Sequence, residues 1–405
     1  MIPRLVCYIL FPFFTFLESL RNLSAKGAPL IFILFYGLYG YCQDFSLYTS
    51  DIYRVGWWFV EFETTNVIQA YKEGAFTDVY FWLLISIIRP LTSNPKIFMC
   101  VASMIYGFLT YKCLIQIYKL SKFPRKIPFY ILVLVFMANI SLVHMTGLRF
   151  FTAGLLYCWC INSYLLYNKK SVLFISLLTV LIHFGMIPIV FATSIYLISK
   201  KFWGYRILRF ALVLSFLISF IPTYELFGNL GIENAIENNA IKGKINSYTS
   251  GPDQYSSSEN LSTYRQANNI FTKFFKKVNI IGSFIILILL LKAKRLPDKI
   301  RSANLFKFTL FLFSVSFLSV SLFGGGDRFI HISWVFLLIY LSLYLSEHYT
   351  KFYKKLVQSL ILVHFYSISF LFFNAPRLVS PEIWLFNLPY LIWEGLDFKM
   401  PYFFG

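Results

Sequence analysis

Apolar runs of helix length, separated by short polar turns, set the rhythm of this chain almost from end to end. Strict alternation of the kind that marks strands is absent, so the pattern predicts a helical membrane bundle rather than an outer-membrane barrel. The first run, Met1 to Glu18, carries no small-residue cleavage site and reads as a retained first helix. Further crossings are expected over 29–42, 94–118, 127–146, 150–167, 207–221, 278–291, 308–323, 329–345 and 356–373. Val79 to Leu91 is too short to span comfortably and is expected to lie at, or dip into, the outer interface. The fold class expected is an all-α polytopic membrane protein with about 10–12 transmembrane helices.

One stretch breaks the rhythm. From Ser171 to Ser199 the chain is apolar for 29 residues but is interrupted by His183, Gly185 and Pro188. Basic clusters flank it on both sides: Lys169 and Lys170 before, Lys200, Lys201, Arg206 and Arg209 after. A single crossing would place one cluster outside, against the positive-inside rule. Two half-helices that enter and return keep both inside, and predict a re-entrant pair over 171–199 turning near His183. A single long helix kinked at Pro188 is the competing reading.

Composition agrees with the class. Of 405 residues 58% are hydrophobic and only 14% charged, too few charges for a soluble protein of this size. The net charge of +19 resides in short clusters between apolar runs, as cytoplasmic loops require; no soluble basic face exists for nucleic acid. The six cysteines lie in or beside apolar runs, without metal-ligand spacing or a disulfide framework. Residues 43–78 are rich in acids and form the first external loop; 222–277 turn polar and are expected as a long external loop. The tail, 374–405, is rich in Trp, Phe and Pro and is expected along the outer interface.

On this topology several groups converge on the outer side. Asp51 and Arg54 lie in the first external loop, Arg149 opens a helix, and His183 sits in the broken one. Asp327 and Arg328 follow the glycines Gly324, Gly325 and Gly326, which permit close backbone approach to a ligand or a hinge. Charged groups in membrane-depth sequence are costly and mark functional sites. Arginine suits phosphate because its planar fork donates paired hydrogen bonds and keeps its charge. Histidine suits proton transfer near neutral pH. Bland roles fit the same residues: Arg149 snorkelling to headgroups, His183 a packed core residue, Asp51 and Arg54 a surface ion pair, and Asp327 a helix cap. Neither HExxH nor a Cys-pair motif is present, so no metal is expected.

The order of elements resembles the EpsG family of Wzy-type polysaccharide polymerases. The matching pieces are two N-terminal helices, the loop QDFSLYTSDIYR, the helix start GLRFFTAG, the NKK turn, LLTVLIHFGMIP and the late GGGDRFIHIS. This family often carries an arginine just before the first outer-loop acid, where this chain reads YGYCQD. The resemblance implies a bacterial inner-membrane glycosyltransferase of GT-C-like architecture, without cofactor or nucleotide sugar. Its substrate would be undecaprenyl-diphosphate-linked oligosaccharide, joined into O-antigen, capsule or exopolysaccharide. A flippase and a chain-length regulator would be its partners. Arg149, Arg328 and Arg54 would then bind the diphosphate, His183 or Asp51 would deprotonate the acceptor, and Asp327, Gly325 and Gly326 would support the site. A lipid-linked oligosaccharide flippase, a polyprenyl-monophosphate-sugar-dependent glycosyltransferase and, more distantly, a membrane acyltransferase remain the alternatives.

Overall fold

The computed structural model describes residues 2–43, 56, 59, 60, 78–121, 127–140, 142, 144, 148–221, 259–292, 300–322, 326–347, 351–374, 381–384 and 386–396. Among them all extended regular structure is helical. Asp51, Arg54 and Gly325 lie outside the described residues, as do most of 43–78 and 222–258.

The N-terminal run forms α1 (Ile2–Leu10) and α2 (Pro12–Arg21), separated at Phe11 because Pro12 cannot continue the ladder of hydrogen bonds. α3 (Ala28–Tyr41) runs antiparallel to α5 (Pro95–Leu120), with α4 (Val79–Ile88) between them in sequence. The α3–α5 contact is unusually close. A Cβ on Gly40 would overlap the Ser103 hydroxyl and fall 2.6 Å from the Met99 carbonyl oxygen, so only glycine lets the two backbones meet. Phe16, stacked on Phe35 at 4.2 Å and tilted against Phe32, then seals α2 against α3.

α6 (Ile127–Asn139) and α7 (Leu148–Tyr167) follow. α7 lies parallel to α5, the Gln116 amide donating to Ser163 Oγ at 3.0 Å. Next come the short α8 (Ser171–Leu177) and α9 (Thr179–Ile182), a 3-10 turn at Phe184–Met186, and α10 (Ile187–Ile198). Phe150 meets His183, whereas Tyr157 bonds to Thr193. α10 therefore runs back alongside α7, and the chain from Ser171 to Ile198 is a hairpin turning at His183. Each arm is too short to cross a hydrocarbon core of about 30 Å.

α11 (Tyr205–Ile218) packs along α13 (Ile300–Leu322), with Phe216 stacked on Phe284 at 3.8 Å. That phenylalanine belongs to α12 (Glu259–Lys292), a 34-residue helix. The sequence reading took its first part, up to Lys277, as external loop; the helix instead continues unbroken through it. At 1.5 Å per residue it is about 51 Å long, well beyond a membrane's hydrocarbon thickness. α14 (Arg328–Glu347) is the most enclosed helix of the bundle, 94% of its apolar window being buried.

The last expected crossing is not straight. α15 (Lys351–Val363) and α16 (Phe365–Asn374) meet at 57° on His364, with neither proline nor glycine at the bend. α17 (Leu388–Leu396) and a 3-10 turn at Pro381–Trp384 close the chain. Both reach back to the Tyr41 end of α3, through Trp384 against Tyr39 and the Ile392 carbonyl oxygen to the Tyr41 hydroxyl.

Five helices are long and apolar enough to span a bilayer, and a sixth span results if the bent pair counts as one. The protein is thus a multi-pass membrane protein. Several of the expected crossings fall short of the 10–12 predicted full spans: α3, α6 and α11 are helices of only 13 or 14 residues. Apolar composition predicted where they lie, but not how long each remains helical.

Candidate functional site

The hairpin tip and the start of α7 are joined by an acid that the sequence reading left among the external-loop charges. Asp78 precedes α4 at the N-cap position, yet its carboxylate makes no capping bond to its own helix. One oxygen, Oδ2, accepts from Arg149 Nη1 at 2.7 Å. The other, Oδ1, accepts from the Phe184 backbone N–H at 2.9 Å. That N–H is released by the helix break at His183, whose φ of −152° and ψ of 118° are extended. A backbone donor freed inside a membrane protein needs a partner, and Asp78 supplies it. The carboxylate is 1% exposed and Arg149 24%, so the pair sits at the rim of the interior with the guanidinium outermost.

His183 is buried and also shaped by the break. Its Nδ1 accepts from the Gly185 backbone N–H at 3.0 Å. In the neutral ring the proton must then sit on Nε2, which is a donor. This tautomer presents a hydrogen-bond donor where the sequence reading expected a base.

Phe150 holds the remaining groups together. Its ring meets His183 edge-to-face at 5.4 Å and Phe329 at 5.5 Å. The Arg328 guanidinium carbon lies 5.8 Å from its centroid, and that of Arg149 lies 5.6 Å from the Phe81 ring. Aromatic faces attract such cations, and the charge of Arg149 is also met by the Asp78 carboxylate. His183 and Arg328, two of the residues singled out in the sequence, thus meet at Phe150, while Arg149 lies over Phe81 and pairs with Asp78.

Gly326 and Asp327 flank this group. A Cβ on Gly326 would overlap the Ser319 carbonyl oxygen, so the turn between α13 and α14 needs glycine there. Asp327 Oδ2 pairs with Lys276 Nζ at 3.0 Å, which ties α12 to the site. Burial raises the Asp327 carboxyl, but attraction to Lys276, with help from His331 and Arg328, outweighs it and holds the group below its ordinary 3.8. His144 is pushed well below 6.5 by burial first, and by His331 and Arg328. Lys276 lay inside a stretch read as loop, and nothing local in the sequence marked it.

Deeper in the bundle is a second polar set. His331 Nδ1 lies 3.1 Å from Asn139 Oδ1, and Asn139 Nδ2 lies 3.1 Å from His364 Nδ1. The His144 ring lies beside that of His331, tilted by 57° with centroids 5.1 Å apart. Among the described residues no group of three or more His, Cys, Asp or Glu side chains is placed to hold a metal ion.

No family model, no curated protein and no solved structure matches this chain.

Proposed function

We propose that this protein is a polysaccharide polymerase of GT-C-like architecture, joining lipid-diphosphate-linked oligosaccharide units at the outer face of a bacterial inner membrane. The observation that carries the reading is that Arg328 lies over Phe150, whose ring also meets His183 at the hairpin tip, while Arg149, next to Phe150 in the chain, is tied to the same tip through Asp78. Two guanidinium groups held on aromatic faces at a membrane rim suit a diphosphate headgroup, whose oxygens each accept paired N–H bonds. The resemblance in element order to the EpsG family supports the same substrate class.

The reaction is a single displacement. An acceptor hydroxyl oxygen forms a bond to the anomeric carbon of the growing chain. The bond from that carbon to the diphosphate oxygen breaks, and the electron pair leaves with the lipid diphosphate. The hydroxyl proton passes to a base. Negative charge grows on the diphosphate as the bond breaks, and preorganised cations stabilise it more in the transition state than in the bound substrate. Asp78 is the positioning residue: it fixes Arg149 and the hairpin tip with one carboxylate, and its burial makes it unsuited to meet substrate.

Reconstituted protein given lipid-diphosphate repeat units, with products resolved by size, tests the proposal.

A further inference from the structure

The polar set of Asn139, His331 and His364 bridges three helices and takes no part in the ion pair or the hairpin. Its hydrogen bonds admit one arrangement. Asn139 Nδ2 donates to the Val135 carbonyl oxygen at 2.9 Å and also faces His364 Nδ1 at 3.1 Å, using both amide hydrogens. Flipping the amide would set its oxygen against the Val135 carbonyl, a repulsive pairing. Oδ1 therefore faces His331 Nδ1 at 3.1 Å, and that nitrogen must be the donor. The neutral His331 ring consequently carries its proton on Nδ1 and a lone pair on Nε2. This is opposite to His183, and it is the tautomer a general base needs.

The arrangement is rigidly supported. Asn139 and His364 are fully buried. Trp334 packs edge-on against His364 at 4.2 Å and anchors its own Nε1–H on Ser283 Oγ at 2.9 Å. His331 itself is only partly buried. It lies one turn beyond Arg328 on α14, hence on the same helix face, and its ring neighbours Phe151 at 6.1 Å. The base-competent ring is thus beside the arginine assigned to the leaving group.

We propose that His331 is the base that takes the acceptor hydroxyl proton onto Nε2, with Asn139 and His364 as the positioning residues that set its tautomer. This rests on the polymerase reading. As the oxygen–carbon bond forms and the diphosphate departs, the proton moves to Nε2 and is returned to solvent after product release. The pairing of an amide oxygen with the far nitrogen of a catalytic imidazole orients the ring, as an Asn or Asp does in hydrolytic triads.

The test uses the full-length protein in detergent with lipid-diphosphate repeat units. His331→Ala is expected to lower kcat by about 10²-fold or more, the ordinary contribution of a general base, with KM little changed. Added imidazole should restore part of that loss. Asn139→Leu, which keeps the imidazole but frees it, should lower kcat without rescue by imidazole, and it also serves if His331→Ala does not accumulate. The wild-type pH profile should show an acidic limb that is gone in His331→Ala. Asp327, Arg328, His144, Lys276 and His364 also face this ring, and all survive in the variant. A limb that persists therefore belongs to one of them and overturns the assignment. Wild-type polymerisation with an unimpaired His331→Ala variant refutes the base alone. A wild-type protein that makes no polymer refutes the polymerase reading, and this inference with it.

Discussion

Asp78 Oδ2 lies 2.7 Å from Arg149 Nη1, across 71 residues of sequence, while Asp78 Oδ1 holds the Phe184 N–H at the hairpin tip. One buried carboxylate thereby fixes the start of α7 and the turning point of 171–198 relative to each other. Removing one partner of such a pair leaves the other uncompensated, which costs more than the pair's net worth. Because Arg149 keeps contact with solvent, the cost is discounted from that of a wholly buried pair. Asp78→Ala should lower unfolding free energy by about 1–3 kcal/mol, since it also orphans the Phe184 N–H. Asp78→Asn, which can still accept that N–H, should lower it less. Thermal unfolding in detergent reads both, and equal losses would contradict the two-bond account.

The close approach of α3 and α5 depends on Gly40. Gly40→Ala should lower the thermal midpoint by several degrees, because Ser103 and the Met99 carbonyl cannot both withdraw. Gly204→Ala is the matched control: a Cβ there meets nothing within 4 Å, and its midpoint should not fall. A Gly40→Ala protein as stable as the control would show that the helices are not in contact there.

Stability should also depend on pH in two windows. His144 is depressed well below 6.5, so the unfolded chain takes up its proton first. The neutral native ring is favoured above that value, and stability falls as pH drops from about 6.5. Asp327 is held below 3.8, so its contribution is present above that value and is lost as pH falls through and below it. His144→Phe should reduce the slope of the upper window without abolishing it, because His331, partly buried, and His364, fully buried, act there too, and Lys276→Met should reduce that of the lower one. Unfolding midpoints across pH 3–8 check both.

The hairpin makes a topological prediction. Cysteines placed at Asn168 and Lys201 in a cysteine-free background should be labelled from the same side of the membrane by an impermeant reagent. Labelling from opposite sides would mean that 171–198 crosses once, and would contradict the Tyr157–Thr193 contact.

These features differ in how far the sequence disclosed them. The break at His183 was legible because Gly185 and Pro188 interrupt an apolar run and basic clusters flank it on both sides. The start of α7 was legible from the polar-to-apolar change at Arg149. Asp78 was not, since an acid before a helix ordinarily reads as a cap, and its true partners lie 71 and 106 residues away. The bend at His364 was equally silent. No helix breaker marks it, and the contacts of its ring are with Asn139, 225 residues distant, and with Trp334. The first turns of α12 read as loop because ENLSTYRQANN carries no apolar stripe. Periodicity reports which face is apolar; it is blind to which polar groups pair in the interior.

The central claim is that Arg149 and Arg328 bind the departing diphosphate. The most direct measurement gives purified protein lipid-diphosphate-linked repeat units, with chelator present and nucleotide sugar absent, and resolves the products by size. The account predicts a ladder spaced by one repeat unit, lost in Arg149→Ala and in Arg328→Ala although both proteins elute like wild type. A full ladder from either variant would contradict the assignment of that arginine. No ladder from wild type, with transbilayer movement of the same lipid in vesicles, would contradict the polymerase reading and identify a flippase.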